Sequence, residues 1–218
     1  MKNKLHVLSS LTIFVSAFLF SGCKREDTTP PRLTMLGDNP MTIYLNAPFV
    51  DPGVTVQDNE DGNYPVSSDA TTLNPNVNLT GNYYINYSAE DNAGNRSFLR
   101  RTVIVKNSAQ SFSHGYYVTG SCANGWYDQI FSSPTENNRI IFSQFGRYAN
   151  ANAKLSADVD NTQTVNIVQA TIFCGTVPVN RTFSGGGAFN SNGDTLILNV
   201  TEITPTDTTN CIYVYAKL

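Results

Sequence analysis

The sequence is poor in the residues that most often carry catalysis or bind metal ions. It contains two histidines, one tryptophan and four cysteines in 218 residues, and only 14% of its residues are charged. His6 lies in an apolar N-terminal segment, which leaves His114 as the single histidine in the rest of the chain. A serine or cysteine nucleophile needs a neighbouring base, and zinc needs several closely spaced His or Cys ligands. We therefore predict that the protein is not an enzyme.

Acidic residues offer the remaining route to catalysis. A pair of carboxylates can hydrolyse a glycosidic bond, but no glycosidase motif surrounds the acidic residues of the second half of the chain. These residues are Asp128, Glu136, Asp158, Asp160, Glu202 and Asp207. Residues 185–187 are glycines, but the Gly-Lys-Ser/Thr of a phosphate-binding loop does not follow them, so they predict a turn or bulge.

Basic residues are too few for a nucleic-acid binder. The chain has 14 Lys and Arg against 17 Asp and Glu, a net charge of −3. Without Lys2 and Lys4 of the N-terminal segment, 12 basic residues remain against the same 17 acidic ones, a net charge of −5. Proteins that bind nucleic acids present a basic face. We therefore expect no nucleic-acid partner.

The N-terminus has the composition of an export signal. Two lysines precede an uncharged, mostly apolar stretch over residues 5–22. This stretch is at the lower limit for a membrane span, which needs about 20 residues. An uncleaved membrane anchor is therefore the alternative to a signal peptide, and the residues that end the stretch decide between them.

Residues 19–23 (Leu-Phe-Ser-Gly-Cys) resemble the lipobox of bacterial lipoproteins. The resemblance implies that residues 1–22 are a signal peptide cleaved after Gly22, and that Cys23 carries thioether-linked lipid and an acylated amine. Residues 23–30 are then a lipidated tether to the membrane. Lys24 stands where an Asp is associated with retention in the inner membrane. We therefore expect a lipoprotein of the outer membrane that is exposed on the cell surface.

The rest of the chain has the pattern of two all-β domains. Short runs of β-branched and aromatic residues alternate with clusters of Asn, Gly, Pro and Asp about every ten residues, which is typical of antiparallel sandwiches and barrels. A strong strand over residues 102–105 ends in small polar residues. We therefore place a first domain at residues 31–107 and a second, a β-barrel or β-sandwich, at residues 111–218.

Several motifs of the first domain follow one another in a fixed order. They occupy residues 33–40, 44–54, 58–62, 87–95 and 102–105. Together they resemble a bacterial immunoglobulin-like domain, a type repeated in many surface proteins and found in some insecticidal crystal proteins. The resemblance implies an immunoglobulin-like β-sandwich. The second domain resembles a β-rich domain of unknown function that follows such modules in lipoproteins.

The acidic residues of the first domain have two interpretations. Asp58, Glu60, Asp61 and Asp91 supply oxygen atoms of the kind that Ca²⁺ binds. The same residues stand beside Gly and Asn, where an Asp side chain stabilises a turn by accepting hydrogen bonds from nearby amides. Their spacing does not fit an EF-hand loop, so we favour turns and keep Ca²⁺ as the alternative.

Three cysteines remain once Cys23 carries lipid. An odd number allows at most one internal disulfide among Cys122, Cys174 and Cys211, in a compartment that permits oxidation. Cys122 and Cys211 flank the second domain, so we favour a bridge between them. Cys174 lies in an apolar run and is predicted to be a small core residue.

Aromatic residues near the start of the second domain are the candidates for ligand binding. We select Tyr116, Tyr117, Trp126 and Tyr127, because aromatic rings form apolar platforms for sugars. The alternative is that these rings fill the core. Trp126 follows Asn124 and Gly125, two residues that favour turns. It is therefore the ring that we expect to be exposed.

These observations favour a non-catalytic lipoprotein whose first domain is a spacer for a binding domain. The ligand is a glycan or a surface protein, bound in adhesion. One alternative is a structural or assembly role in the envelope without a soluble ligand. The other is a barrel that binds a small molecule.

Overall fold

The computed structural model describes residues 26–60, 64–122, 124–148 and 154–218. The predicted signal peptide, Cys23 and Asp61 lie outside these residues. Within the described ranges, no helix is both long enough and apolar enough to cross a membrane.

The described chain is all-β, as predicted. Two short 3₁₀ helices, Ser108–Phe112 and Phe145–Arg147, are the helical segments in the described part. The strands of the first domain are β1 (Arg32–Met35), β2 (Met41–Tyr44), β3 (Val54–Gln57), β4 (Val66–Ser68), β5 (Gly81–Glu90) and β6 (Arg96–Lys106). The strands of the second are β7 (Gly115–Gly120), β8 (Trp126–Ser132), β9 (Arg139–Phe142), β10 (Leu155–Val159), β11 (Thr164–Ile167), β12 (Ala170–Cys174), β13 (Val179–Phe189), β14 (Thr195–Ile203) and β15 (Thr208–Lys217).

The first domain packs a two-stranded sheet against a four-stranded one. β1 pairs with β3, and the larger sheet has the order β2-β6-β5-β4, with β2 parallel to β6. Alternate residues of β5 and β6 face the core, as a strand period of two requires. Ile85 and Val103 are fully buried there, whereas Tyr84 and Phe98 face outward.

A buried arginine joins the two sheets of the first domain. Arg101 on β6 is fully buried, and its Nη2 donates to the carbonyl oxygens of Leu36 at 2.6 Å and Gly53 at 3.0 Å, next to β1 and β3. Its Nε lies 3.3 Å from Asp51 Oδ1, which also accepts a hydrogen bond from Tyr87 at 2.6 Å. A buried charge needs such partners, so Arg101 depends on the loops it binds.

The second domain is a barrel, the first of the two architectures predicted for it. Eight of its strands close into a ring when β11 pairs with β13 through Thr164↔Ala188, Val165↔Gly187 and Asn166↔Gly186. The ninth strand, β12, pairs antiparallel with the first half of β13. The last strand, β15, lies between β7 and β14.

The glycines at residues 185–187 lie inside β13, so the predicted turn is wrong. A Cβ atom at Gly187 would lie 1.7 Å from the carbonyl oxygen of Ile197 on β14. At Gly186 it would lie 2.4 Å from the carbonyl oxygen of Val165 on β11. Two neighbouring strands therefore approach the β13 backbone too closely for a side chain, at the place where the barrel closes.

Aromatic rings fill much of the barrel interior. Phe145 makes edge contacts with Phe142, Phe183 and Tyr213, at ring-centroid distances of 5.1, 5.5 and 5.7 Å. Offset and edge-to-face contacts of this kind are favourable. The packing favours a filled core over a barrel that encloses a small molecule.

Asn107 connects the two domains. It is buried, and its Nδ2 donates to the carbonyl oxygens of Ser133 at 2.7 Å and Glu136 at 2.9 Å. Its Oδ1 accepts from the backbone N–H groups of Ala109 at 2.9 Å and Asn138 at 3.0 Å. The segment that follows β6 is therefore bound to a loop of the barrel and is not a free linker.

Candidate functional site

The four aromatic residues predicted to bind ligand divide into two buried and two exposed rings. Tyr116 is fully buried, and Trp126 is 9% exposed, so the expectation that Trp126 is the exposed ring is wrong. The reason is strand alternation: each pair of consecutive rings sends one side chain inward and the other outward. Tyr117 and Tyr127 are therefore the outward members.

The buried pair belongs to the barrel core. Trp126 Nε1 donates to the carbonyl oxygen of Gln144 at 3.1 Å, and its ring meets Tyr213 edge-on at 5.4 Å. Tyr116 donates its hydroxyl to the carbonyl oxygen of Phe112 at 3.1 Å. Burial raises the pKa of Tyr116 to about 12. For these two residues the core alternative is correct.

Tyr117 and Tyr127 form one exposed aromatic surface, which we call the tyrosine pair. They are directly opposite each other on β7 and β8. Their ring centroids lie 5.1 Å apart with planes inclined at 59°, and the side chains are 40% and 67% exposed. Cross-strand aromatic pairs stabilise a sheet, and these two side chains are also accessible to solvent.

Gly125 leaves room for the Tyr117 ring. A Cβ atom at position 125 would lie 2.2 Å from the Tyr117 hydroxyl oxygen and 2.6 Å from the ring carbon that bears it. The glycine backbone therefore contacts the ring where a side chain would displace it. Sequence analysis identified Gly125 only as a turn residue, because this contact depends on the pairing of β7 with β8.

A disulfide fixes the segment that leads to Gly125. Cys122 and Cys211 are bonded, with Cα atoms 5.5 Å apart, and this joins the end of β7 to β15. Next to it, Ser121 Oγ accepts a hydrogen bond from the Ile212 amide at 3.0 Å. Cys174 is a free thiol in the core, and burial raises its pKa. The tyrosine pair thus lies on a cross-linked part of the barrel.

Three carboxylates meet at one end of the first domain, where β1 begins, β3 ends and β5 turns into β6. Asp27, Asp58 and Asp91 place oxygen atoms within 4.8 Å of one another. Of the predicted cation ligands, Asp58 and Asp91 belong to this group. Glu60 does not: it is exposed, and its amide donates to Asp58 Oδ1 at 3.2 Å. Asp61 lies outside the described residues, and Asp27 was missed because its segment was interpreted as tether.

The same carboxylates also stabilise turns, which is the interpretation that we favoured. Asp91 Oδ1 accepts from the amides of Ala93 at 2.9 Å and Asn95 at 2.8 Å, and Asn95 Nδ2 donates to Oδ2 at 2.8 Å. Burial opposes ionisation of Asp91, but these hydrogen bonds outweigh it and lower its pKa. Asp58 Oδ2 is buried and has no hydrogen-bond partner in the described part of the chain. Ca²⁺ takes about six to eight oxygen ligands, and both oxygens of Asp91 already accept hydrogen bonds. A Ca²⁺ site at these residues stays a prediction.

Two of the acidic residues considered for glycoside hydrolysis are buried in the barrel. Asp128 accepts a hydrogen bond from Ser143 Oγ at 2.8 Å, and burial raises the pKa of this carboxyl more than its hydrogen bonds lower it. Glu202 pairs with Arg181 and accepts from the Tyr148 hydroxyl at 3.0 Å. Both carboxylates are thus engaged by neighbouring side chains of the fold.

These features define a two-domain all-β protein in which a sandwich is joined to a closed barrel. Residues 33–105 match the family model described as "Bacterial surface protein, Ig-like domain". The first domain is therefore an immunoglobulin-like domain of the type found in bacterial surface proteins, and the resemblance given by the sequence motifs is confirmed. This match supports a place in the cell envelope.

Among solved structures, the chain is similar to the crystal structure of the lipoprotein BT2262 from Bacteroides thetaiotaomicron. The similarity covers 86% of this chain and 100% of that one, with 17% sequence identity and a TM-score of 0.35. At these values the similarity carries no conclusion about function. No protein with a curated description matches the chain.

Proposed function

We propose that the protein is a non-catalytic lipoprotein of the cell envelope that presents its barrel to a ligand outside the cell. Three observations support this. The N-terminal segment ends in a lipobox-like sequence at Cys23, the first domain matches a family of bacterial surface domains, and the barrel carries an exposed tyrosine pair. The lipid on Cys23 is the membrane partner, and the outer face of the outer membrane is the proposed location.

The tether to the membrane is short in this proposal. Asp27 follows Cys23 by four residues, and its backbone oxygen accepts a hydrogen bond from Asn95 Nδ2 at 3.1 Å. Four residues span at most about 14 Å. The first domain therefore stands close to the lipid headgroups and carries the barrel away from them. A Cys23→Ala protein should leave the membrane fraction; retention there at the size of the mature chain would contradict the anchor.

The tyrosine pair is the observation that carries the binding role, and a glycan is the ligand that we favour. Two exposed rings that pack against each other on paired strands offer a fixed apolar platform for the C–H face of a sugar ring. A fixed platform lowers the entropy lost on binding. A surface protein is the second ligand class.

A glycan array probed with the full chain in detergent tests this role. We expect binding to a defined set of glycans and a loss of about tenfold or more for Tyr127→Ala, since aromatic anchors dominate such interfaces. Phe131→Ala is the matched control. Phe131 is a 51% exposed ring on the same strand, and its cross-strand partner on β9 is Ile141. The control should bind as the wild type does. Equal loss in both variants, or wild-type binding by Tyr127→Ala, would contradict the proposal.

A structural role without a soluble ligand is the second candidate. The buried hydrogen bonds of Asn107 favour it, because they fix the segment after β6 to a loop of the barrel. Absence of binding across plant, host and microbial glycans, together with an envelope defect when Asn107 is replaced, would favour this role over the first.

A further inference from the structure

The outer face of the four-stranded sheet in the first domain carries three exposed aromatic rings. Tyr44 on β2, Tyr84 on β5 and Phe98 on β6 are 50%, 49% and 75% exposed. Single exposed rings are common on proteins and need no explanation. The arrangement of polar groups around Phe98 is what distinguishes this face.

Arg100 lies two residues from Phe98 on the same side of β6, and two contacts orient it. Its Nε donates to Asn86 Oδ1 at 3.0 Å, and its guanidinium carbon lies 5.2 Å from the centroid of the Tyr84 ring. Asn86 is held in turn by Asp69, through its amide at 2.8 Å and its Nδ2 at 2.7 Å. The guanidinium therefore lies on a rigid strand in a fixed orientation.

Arg100 forms no ion pair with any residue in the described ranges, which sets it apart from its neighbour Arg96. Arg96 is bound to Glu90 at 2.9 Å on the same face. The outer N–H groups of Arg100 thus remain available, in a chain whose net charge is negative. Lys106, at the far end of β6, lies 5.4 Å from the centroid of the Tyr44 ring and likewise has no acidic partner in the described part.

Open grooves border the exposed Phe98 ring. Three cavities of about 400, 410 and 320 Å³ include this ring in their walls. The polar side chains that line them include Ser67, Asp69, Asn86, Ser88, Arg96 and Arg100, together with Glu90. A deep apolar pocket would suit a small hydrophobic ligand, whereas these grooves are shallow and rich in hydroxyl, amide and charged groups.

We propose that this surface, the Phe98–Arg100 face (Tyr84, Asn86, Phe98 and Arg100), binds an acidic glycan. The planar fork of an unpaired guanidinium matches a sugar carboxylate, with which it forms two parallel hydrogen bonds. Phe98 stacks on the apolar face of a sugar ring, and the serine and asparagine side chains bond its hydroxyl groups. The positive charge of Arg100 complements an anionic chain. This face lies on the first domain, so the proposal does not depend on the tyrosine pair of the barrel.

Titration calorimetry on the full chain in detergent tests the proposal with three carboxylate-bearing oligosaccharides, built from galacturonate, mannuronate or sialic acid. Each is compared with the same oligosaccharide after its carboxyl groups are reduced to alcohols. We expect saturable binding of at least one acidic probe. Arg100→Gln should weaken this binding about tenfold, because a hydrogen bond to a charged group is stronger than one between neutral groups. Arg100→Lys, which keeps the charge without the fork, should restore it only in part.

Two further variants separate stacking and diffuse charge from the proposed contact. Phe98→Ala should weaken both the acidic and the reduced probe. Arg32→Gln removes the same charge from an exposed position on β1 of the same domain and should bind as the wild type does. Tyr127→Ala in the barrel should also leave this binding unchanged.

Four results would overturn the proposal. They are no saturable binding of any acidic probe, equal binding of the acidic and reduced forms, equal weakening by Arg32→Gln and Arg100→Gln, and tighter binding of an oligoglutamate peptide than of every acidic sugar. Arg100 and Phe98 are exposed, so Arg100→Gln and Phe98→Ala should have the melting temperature of the wild type. Unchanged melting ties a loss of binding to the face itself.

Discussion

In the immunoglobulin-like domain a buried guanidinium joins the two sheets, whereas in the barrel aromatic rings and a disulfide hold the strands together. The buried cores differ in size: six residues in the described part of the first domain and 24 in that of the second. Hydrophobic burial stabilises roughly in proportion to the apolar area removed from water. The smaller domain therefore depends more on individual polar contacts. Loss of one such contact should lower its free energy of unfolding by a larger fraction.

Replacement of Arg101 should have the largest effect on stability. Arg101→Met removes the donor to the carbonyl oxygens of Leu36 and Asp38, and it removes the positive charge beside Asp51 inside the sandwich. Loss of one partner from such a buried network lowers the free energy of unfolding by about 4 kcal/mol. Hydrogen exchange of the β5 and β6 amides measures this loss of stability. Arg100→Met, one residue away and exposed, should change the stability by less than about 0.5 kcal/mol.

Loss of the disulfide should affect the barrel and spare the first domain. Cys122 and Cys211 are 89 residues apart, so their bridge limits the unfolded chain, and a disulfide typically contributes about 2–4 kcal/mol. Trp126, the single tryptophan, lies in the barrel core, so its fluorescence reports the unfolding of that domain. A reducing agent should lower the fluorescence-detected melting temperature. The Cys122→Ser/Cys211→Ser variant should not respond to it.

Replacement of Asn107 should weaken the connection between the domains. Asn107→Ala leaves buried backbone groups of Ala109 and Ser133 without the Asn107 side chain as partner, which lowers the free energy of unfolding by about 2 kcal/mol. We expect far-UV circular dichroism and Trp126 fluorescence to report different melting temperatures in this variant. Gln110→Ala, an exposed neighbour, should leave the two signals as they are in the wild type. Coincident transitions in Asn107→Ala would show that the domains are coupled by other contacts.

Acidification should change the stability contributions of Asp91 in the first domain and Asp128 in the second in opposite directions. The pKa of Asp91 is lowered in the folded state, so its contribution is present above the unfolded value of about 3.9 and is lost as the pH falls through the lower folded value. The pKa of Asp128 is raised, so ionisation opposes folding at neutral pH and this penalty disappears as the pH falls towards about 3.9.

Melting temperatures measured between neutral pH and about pH 3 test these signs. On acidification the advantage of the wild type over Asp91→Asn should shrink. The stability of the wild type relative to Asp128→Asn should rise over the same range. This is the smallest of the expected effects, and parallel pH profiles of a variant and the wild type would contradict the assignment for that residue.

The fold class was predictable because it depends on local patterns. Alternating residues and turn residues indicate strands wherever they occur, and the ordered motifs of residues 33–105 identify the first domain. The same alternation places Arg101 on the inward side of β6, between Leu99 and Val103. Its burial was therefore predictable from the sequence, although we did not predict it. A charged residue between apolar ones on the buried side of a strand is a signal for an internal ion pair.

The candidate sites were less predictable because they depend on contacts across the fold. Tyr116 and Tyr117 differ only in which side of β7 they occupy, and only the position of the core decides that. Asp27 reaches Asp91 from 64 positions away in sequence. The contact of Gly125 with Tyr117, and of Gly187 with β14, requires knowledge of which strands are neighbours.

The position of β15 has a consequence for the order in which the protein forms. The final strand, Thr208–Lys217, is the neighbour of the strand that opens the barrel, and it supplies Cys211 to the bridge with Cys122. The ring of strands is therefore incomplete until residues 208–217 have joined it. The sandwich has no such dependence, since its last strand ends at Lys106. As the chain is made from its N-terminus, the first domain can fold while the second is still an open sheet and Cys122 still lacks its disulfide partner.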